Sequence, residues 1–314
     1  LSKFDNYITT YDHWNKLQFK YKLPVLSFNS THIQRTTNKQ VILVSNLMGL
    51  YYAVMLLGDK IGLPIESFGA KFYGLKKASV VQASGASWTG VFLCTIIADA
   101  FYVCFKCSEG ARLRYCNVGL IMACQRLTLQ IAHSTQSIRT VAIPVVAKEY
   151  TAGIVASFVF IGLFSSVSST SRLPAGSVWY KPATTTAKCL FGMTLGCLAF
   201  FLQMITTDFL AAVSNVKGKR TAVEYAQLDW CAVMLMGLIL GLLFAQMYLT
   251  ENEQIGFAKV RVGAILSMMY LAYTEKAITP CKNYKESMRM MGAILALAVY
   301  AAHGKDIMKK LKLA

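Results

Sequence analysis

"WCAVMLMGLILGLLFAQMYLT", residues 230–250, runs for 21 residues without a charge. A helix rises about 1.5 Å per residue, so about 20 apolar residues cross the roughly 30 Å hydrocarbon core of a bilayer. The run has that length, and the tryptophan at its start reads as an interfacial anchor. One transmembrane helix is therefore predicted here, and the rest of the chain is to be read as a membrane protein.

The flanking sequence repeats the pattern. Residues 189–207 give 19 uncharged positions, 150–167 give 18 and 41–57 give 17. Residues 78–105 give 28 positions with Asp99 as their only charge. Two shorter runs, 262–274 and 290–303, are bracketed by Arg261, Lys276, Arg289 and Lys305. Long basic side chains can snorkel to the interface and lengthen such spans, so both are expected to cross. The stretch 115–133 contains Arg126 and, together with 141–146, reads as interfacial or buried against other helices. The expectation is an all-α polytopic transmembrane bundle of about seven spans, with six to eight allowed. It occupies residues 38–314, behind an amphipathic N-terminal segment over 1–37.

Composition agrees with this class. Hydrophobic residues make up 55% of the 314 and charged residues only 15%, against about 25% in soluble domains; the mean hydropathy is +0.45. The charge that exists is basic, 32 Lys and Arg against 15 Asp and Glu. Because the basic residues sit mostly between apolar runs, anionic lipid headgroups are the expected partner there, and nucleic acid is not. The chain begins with Leu1 and has no secretory h-region in its first 40 residues. The chain is expected to be a processed product or part of a longer one, and loss of an organellar presequence would fit both the missing Met and the basic charge.

In the N-terminal segment, Phe4, Tyr7, Ile8, Tyr11 and Trp14 recur at helical i, i+3, i+4, i+7 spacing. Pro24 cannot continue that helix. An aromatic stripe of this kind suits the headgroup boundary or a groove on a partner subunit.

Motifs for chemistry are missing from the sequence. It has no P-loop, dinucleotide fingerprint, zinc-protease helix or nucleophile elbow. Cys104-x-x-Cys107 is an isolated pair among nine cysteines, which as a metal or redox signature is weak. The four histidines do not supply two ligands on apolar spans. The mitochondrial carrier repeat is also absent, since its nearest match, Pro64-Ile65-Glu66, has Gly69 where a basic residue belongs. No catalytic residue, cofactor or metal is expected.

The candidate functional residues are therefore intramembrane charges and packing positions. Asp99, Asp208 and Arg126 lie within or beside apolar runs, where a charge facing lipid costs about 3 kcal/mol on insertion scales. Asp99 and Asp208 are read as helix joints rather than a proton path. Arg126, Arg139, a hydroxyl such as Thr206, or a neighbouring chain is the expected partner. The last four runs carry small residues four apart: Gly192 and Gly196, Gly237 and Gly241, Gly263 and Ser267, Gly292 and Ala296. That spacing lets helix backbones approach closely.

The function these features favour is a non-catalytic accessory subunit, bound to other membrane subunits in an energy-transducing complex (respiratory chain or ATP synthase) of the mitochondrial inner membrane. A small-solute or ion transporter using intramembrane carboxylates is the alternative, and a thylakoid subunit a further one. The aromatic stripe yields one test. The double variant Tyr11→Asp/Trp14→Asp is expected to weaken membrane association or assembly, read as the fraction of chain retained in a washed membrane pellet.

Overall fold

The computed structural model describes residues 30–62, 76–134, 148–167, 184–206, 221–275 and 284–313. The chain divides into two units, Leu1–Thr36 and Thr37–Ala314, and the helical bundle belongs to the second. Phe4, Tyr7, Ile8, Tyr11, Trp14 and Asp208 lie outside the described residues.

Among the described residues the fold is helical throughout, with no strand. In chain order the helices are α1 (Ser30–Leu57, followed by the 3₁₀ turn Gly58–Lys60), α2 (Val80–Lys106), α3 (Glu109–Ser134) and α4 (Lys148–Val167). They continue with α5 (Thr185–Thr206), α6 (Ala222–Tyr248), α7 (Glu251–Glu275) and α8 (Tyr284–Leu313). Five have the length and apolarity to cross a membrane: Asn38–Leu57 within α1, α2, Thr185–Ile205 within α5, α6 and α7. The chain is an all-α integral membrane protein.

Five among the described residues is fewer than the seven expected, and the reasons are physical. The apolar part of α4, Thr151–Val167, has 17 residues, or about 26 Å of helix, short of a full hydrocarbon core. In α8 the apolar stretch 290–303 is enclosed by Arg289 and Lys305, and charges occupy both remaining ends of the helix. The stretch 115–133 belongs to α3, which packs along α4 and against α6.

Helix starts are set by capping. The Thr221 hydroxyl accepts from the Glu224 backbone N–H at 3.3 Å, and the Glu224 carboxylate accepts from the Thr221 N–H at 2.9 Å. This capping box begins α6 eight residues before the apolar run. Thr250 and Glu253 form the same reciprocal pair, with bonds of 3.4 and 2.8 Å. α7 thus starts at Glu251, only Leu249 and Thr250 after α6, and eleven residues before the run 262–274. Arg261 is consequently mid-helix rather than a boundary. At the far end of α2, Arg112 donates to the carbonyls of Cys107 (2.9 Å) and Cys104 (3.4 Å), satisfying acceptors that a helix C-terminus leaves open.

α6 and α2 form the centre. In their apolar windows 72% and 67% of residues are buried, against 28% in the other three spans. α6 packs on α2, α5 and α3, α7 on α2 and α8, and α8 returns to α5. Trp230 is 8% exposed, so it is a core residue of α6 and not an interfacial anchor.

α4 is held chiefly by α3. A Cβ at Gly119 would come within 2.5 Å of the Phe164 ring, so glycine is what lets that ring seat on α3. Phe164→Ala would open a cavity at this contact. It is expected to cost about 3–5 kcal/mol, read as a lower thermal unfolding midpoint in detergent and as earlier amide exchange in α4 than in α6.

Candidate functional site

Asp99 faces inward from α2 and is 1% exposed. Its Oδ2 lies 2.6 Å from Nη2 of Arg261 on α7, whose side chain is 4% exposed. The same Nη2 donates to the Leu238 carbonyl of α6 at 3.1 Å. One turn earlier on α7, the Phe257 ring lies under the guanidinium, 5.1 Å from centroid to Cζ. The Tyr115 ring of α3 is also buried, edge-on against Phe244 of α6 at 5.1 Å. A single ion pair therefore joins α2 to α7 across the backbone of α6.

Gly241 makes that geometry possible. A Cβ there would sit 2.9 Å from Arg261 Nη2 and 3.2 Å from Asp99 Oδ2. Gly237, one turn back, would meet Met122 at 2.6 Å and Ile96 at 2.9 Å. On α5, Gly192 and Gly196 face Leu297 (3.1 Å) and Ile294 (3.3 Å) of α8. These four glycines lie at helix contacts. Gly263 and Gly292 do not, since a Cβ at either meets nothing within 4 Å. The small-residue spacing in α7 and α8 is present without the close approach it was expected to mark.

The aspartate's partner also differs from the residues expected. Arg126 is not beside Asp99; it lies with its guanidinium over Phe160 of α4, 5.0 Å from the ring centroid. The signal that Arg261 lies mid-helix was present in the sequence, though not its pairing with Asp99. Thr250-x-x-Glu253 is a capping-box signature, and starting α7 there places Arg261 in the interior.

A second group of polar side chains ties the opposite end of the bundle, where α2, α6 and α8 begin. The Ser79 hydroxyl donates to Glu224 at 2.5 Å, and Glu275 at the end of α7 accepts from Ser84 and pairs with Lys60 at 3.2 Å. His133 of α3 contacts Asp229 of α6 at 3.1 Å. At that same end Gln227 donates to Thr89 at 2.9 Å, and near the other end of α6 Gln246 donates to Thr194 at 2.7 Å.

Cys104 and Cys107 are buried free thiols. Burial, reinforced by the nearby Glu253 carboxylate, pushes the Cys107 thiol up from its ordinary range, which suits a packed apolar group rather than a thiolate. Among the described residues no group of three or more His, Cys, Asp or Glu is placed to hold a metal.

No protein-family model, curated protein or solved structure matches the chain. Its chemistry rests on this geometry, which holds one buried, internally neutral ion pair between three helices. Gly241→Leu is expected to force Arg261 off Asp99 and to reduce folded yield severalfold, measured as the monodisperse fraction in size-exclusion chromatography. Gly263→Leu should leave that fraction unchanged.

Proposed function

We propose that this chain is a non-catalytic accessory subunit of a multi-subunit, energy-transducing complex of the mitochondrial inner membrane, in the respiratory-chain or ATP-synthase class. The observation that supports this most is the use of its central charge. Asp99 is held at 2.6 Å by Arg261, so the carboxylate that an ion-coupled transporter would load and unload serves as a joint between helices.

Exposed side chains agree with a neighbour-rich setting. Leu266, Tyr270 and Tyr273 are 51%, 70% and 67% exposed at i, i+4, i+7 on α7, forming one stripe with two tyrosine hydroxyls. Aromatic residues of that kind are enriched in the cores of protein interfaces. Exposed Lys76 and Lys77, just before α2, are placed for anionic headgroups.

The alternative, a small-solute or ion transporter, draws support from a cavity that reaches Arg261 from the end of the bundle holding Glu224 and Glu275. Gentle detergent extraction followed by native electrophoresis and flux assays separates the two. The subunit reading expects the chain in a high-mass assembly, with no flux from the isolated protein in vesicles. A monomer or small symmetric oligomer with ion flux that Asp99→Asn abolishes would overturn it.

A further inference from the structure

A cavity of about 240 Å³ runs between α2, α5, α6, α7 and α8. Its wall on α7 is Arg261, Ala264, Ile265, Met268, Ala272 and Glu275, one face of the helix repeating every three or four residues. From Arg261 to Glu275 this face extends about 21 Å at 1.5 Å per residue. The cavity is thus elongated along the helices. Ionisable and hydroxyl groups stand at its two ends: Arg261 inside the bundle, and Ser84, Glu224, Glu275, Tyr284 and Ser287 where α7 stops and α8 begins. Between them the lining is apolar and includes five methionines, Met193, Met204, Met268, Met290 and Met291. Unbranched thioethers adapt to irregular apolar molecules.

The charges at both ends define what fits. The Arg261 guanidinium is already neutralised by Asp99 and also donates to Leu238, while its buried Nε has no hydrogen-bond partner. Asp99 Oδ1 is likewise without a hydrogen-bond partner, but Asp99 does not line the cavity. What the pair presents there is therefore an N–H donor without net charge, which matches a neutral acceptor. A carboxylate or phosphate would add an uncompensated buried charge. At the other end, Glu224 is engaged by Ser79 and Thr221, and Glu275 by Ser84 and Lys60, so no cationic headgroup is called for.

We propose that this cavity binds a neutral lipid with a carbonyl head and a long apolar tail, of the prenylated quinone class. Its carbonyl oxygen accepts from the Arg261 guanidinium, and its tail lies along the methionine wall toward Glu275. The site is independent of which assembly contains the chain. An acyl glycerol shares the carbonyl chemistry but would place its hydroxylated head at the Glu224 and Glu275 end.

Trp88 lines the cavity, and its fluorescence supplies the readout once Trp14, Trp179 and Trp230 are replaced by Phe. Titration of this single-tryptophan chain in detergent with decylubiquinone is expected to give saturable quenching at one molecule per chain. Ala264→Phe, one turn from Arg261, and Ala272→Phe, three turns from it, should each weaken it at least tenfold, the latter at unchanged melting temperature. Arg261→Lys should weaken decylubiquinone at least tenfold and leave chain-brominated monoolein unaffected. Quenching that does not saturate, or that survives both Phe substitutions, would overturn the proposal. Tighter binding of brominated monoolein than of decylubiquinone would also overturn it, assigning the cavity to acyl lipids.

Discussion

A charge in the middle of a helical membrane bundle has no water to solvate it, so it must find an opposite charge or a ring of dipoles. Asp99 and Arg261 meet that requirement for each other at 2.6 Å, and the demand governs the surrounding structure. Because the partners sit on α2 and α7, those helices have one register in which the pair forms. Because the arginine reaches across α6 to do so, α6 must present a residue without a side chain, and Gly241 does. Burial of such a pair is weak evidence of net stability but a strong constraint on arrangement, since separating the partners leaves bare charge in an apolar interior.

The remaining organisation follows from two helices buried on nearly all sides. α2 and α6 supply the centre, and smaller polar contacts fix the ends of the helices around them. Ser79 with Glu224 and Ser84 with Glu275 connect the starts of α2 and α6 to the end of α7. The ion pair and these end contacts are separated by most of the length of α7, and the space left between them is the apolar cavity. Its polar termini are the same residues that hold the helices together, which is why a ligand there would sense the joint directly.

Much of this fold was legible in the sequence, because bilayer thickness sets the length of apolar run that a span needs. Residues 230–250, 78–105, 189–207 and 41–57 all correspond to spans. Run length misleads where a charge is taken for an edge. Arg261 ends an apolar run in sequence, yet in space it is neutralised by a residue 162 positions away, and α7 continues through it for ten residues toward its start. No local pattern records a partner at that separation. The glycine spacing was equally blind to direction: it located Gly237 and Gly241 at tight contacts and gave the same signal at Gly263 and Gly292, which face open space. Periodicity places residues on one face of a helix without indicating which neighbour that face meets.

Asp99 and Arg261 act as one unit, and a double-mutant cycle measures that coupling most directly. Thermal unfolding in detergent of the parent chain, Asp99→Leu, Arg261→Met and the double variant provides the four corners. Each single change, leaving its partner's charge buried alone, is expected to cost about 3–5 kcal/mol. The double variant should lose far less than the sum, because two apolar side chains of similar volume replace the pair. Additive losses, with the double variant costing the sum of the two singles, would show that the residues do not interact and would contradict the structure's central joint.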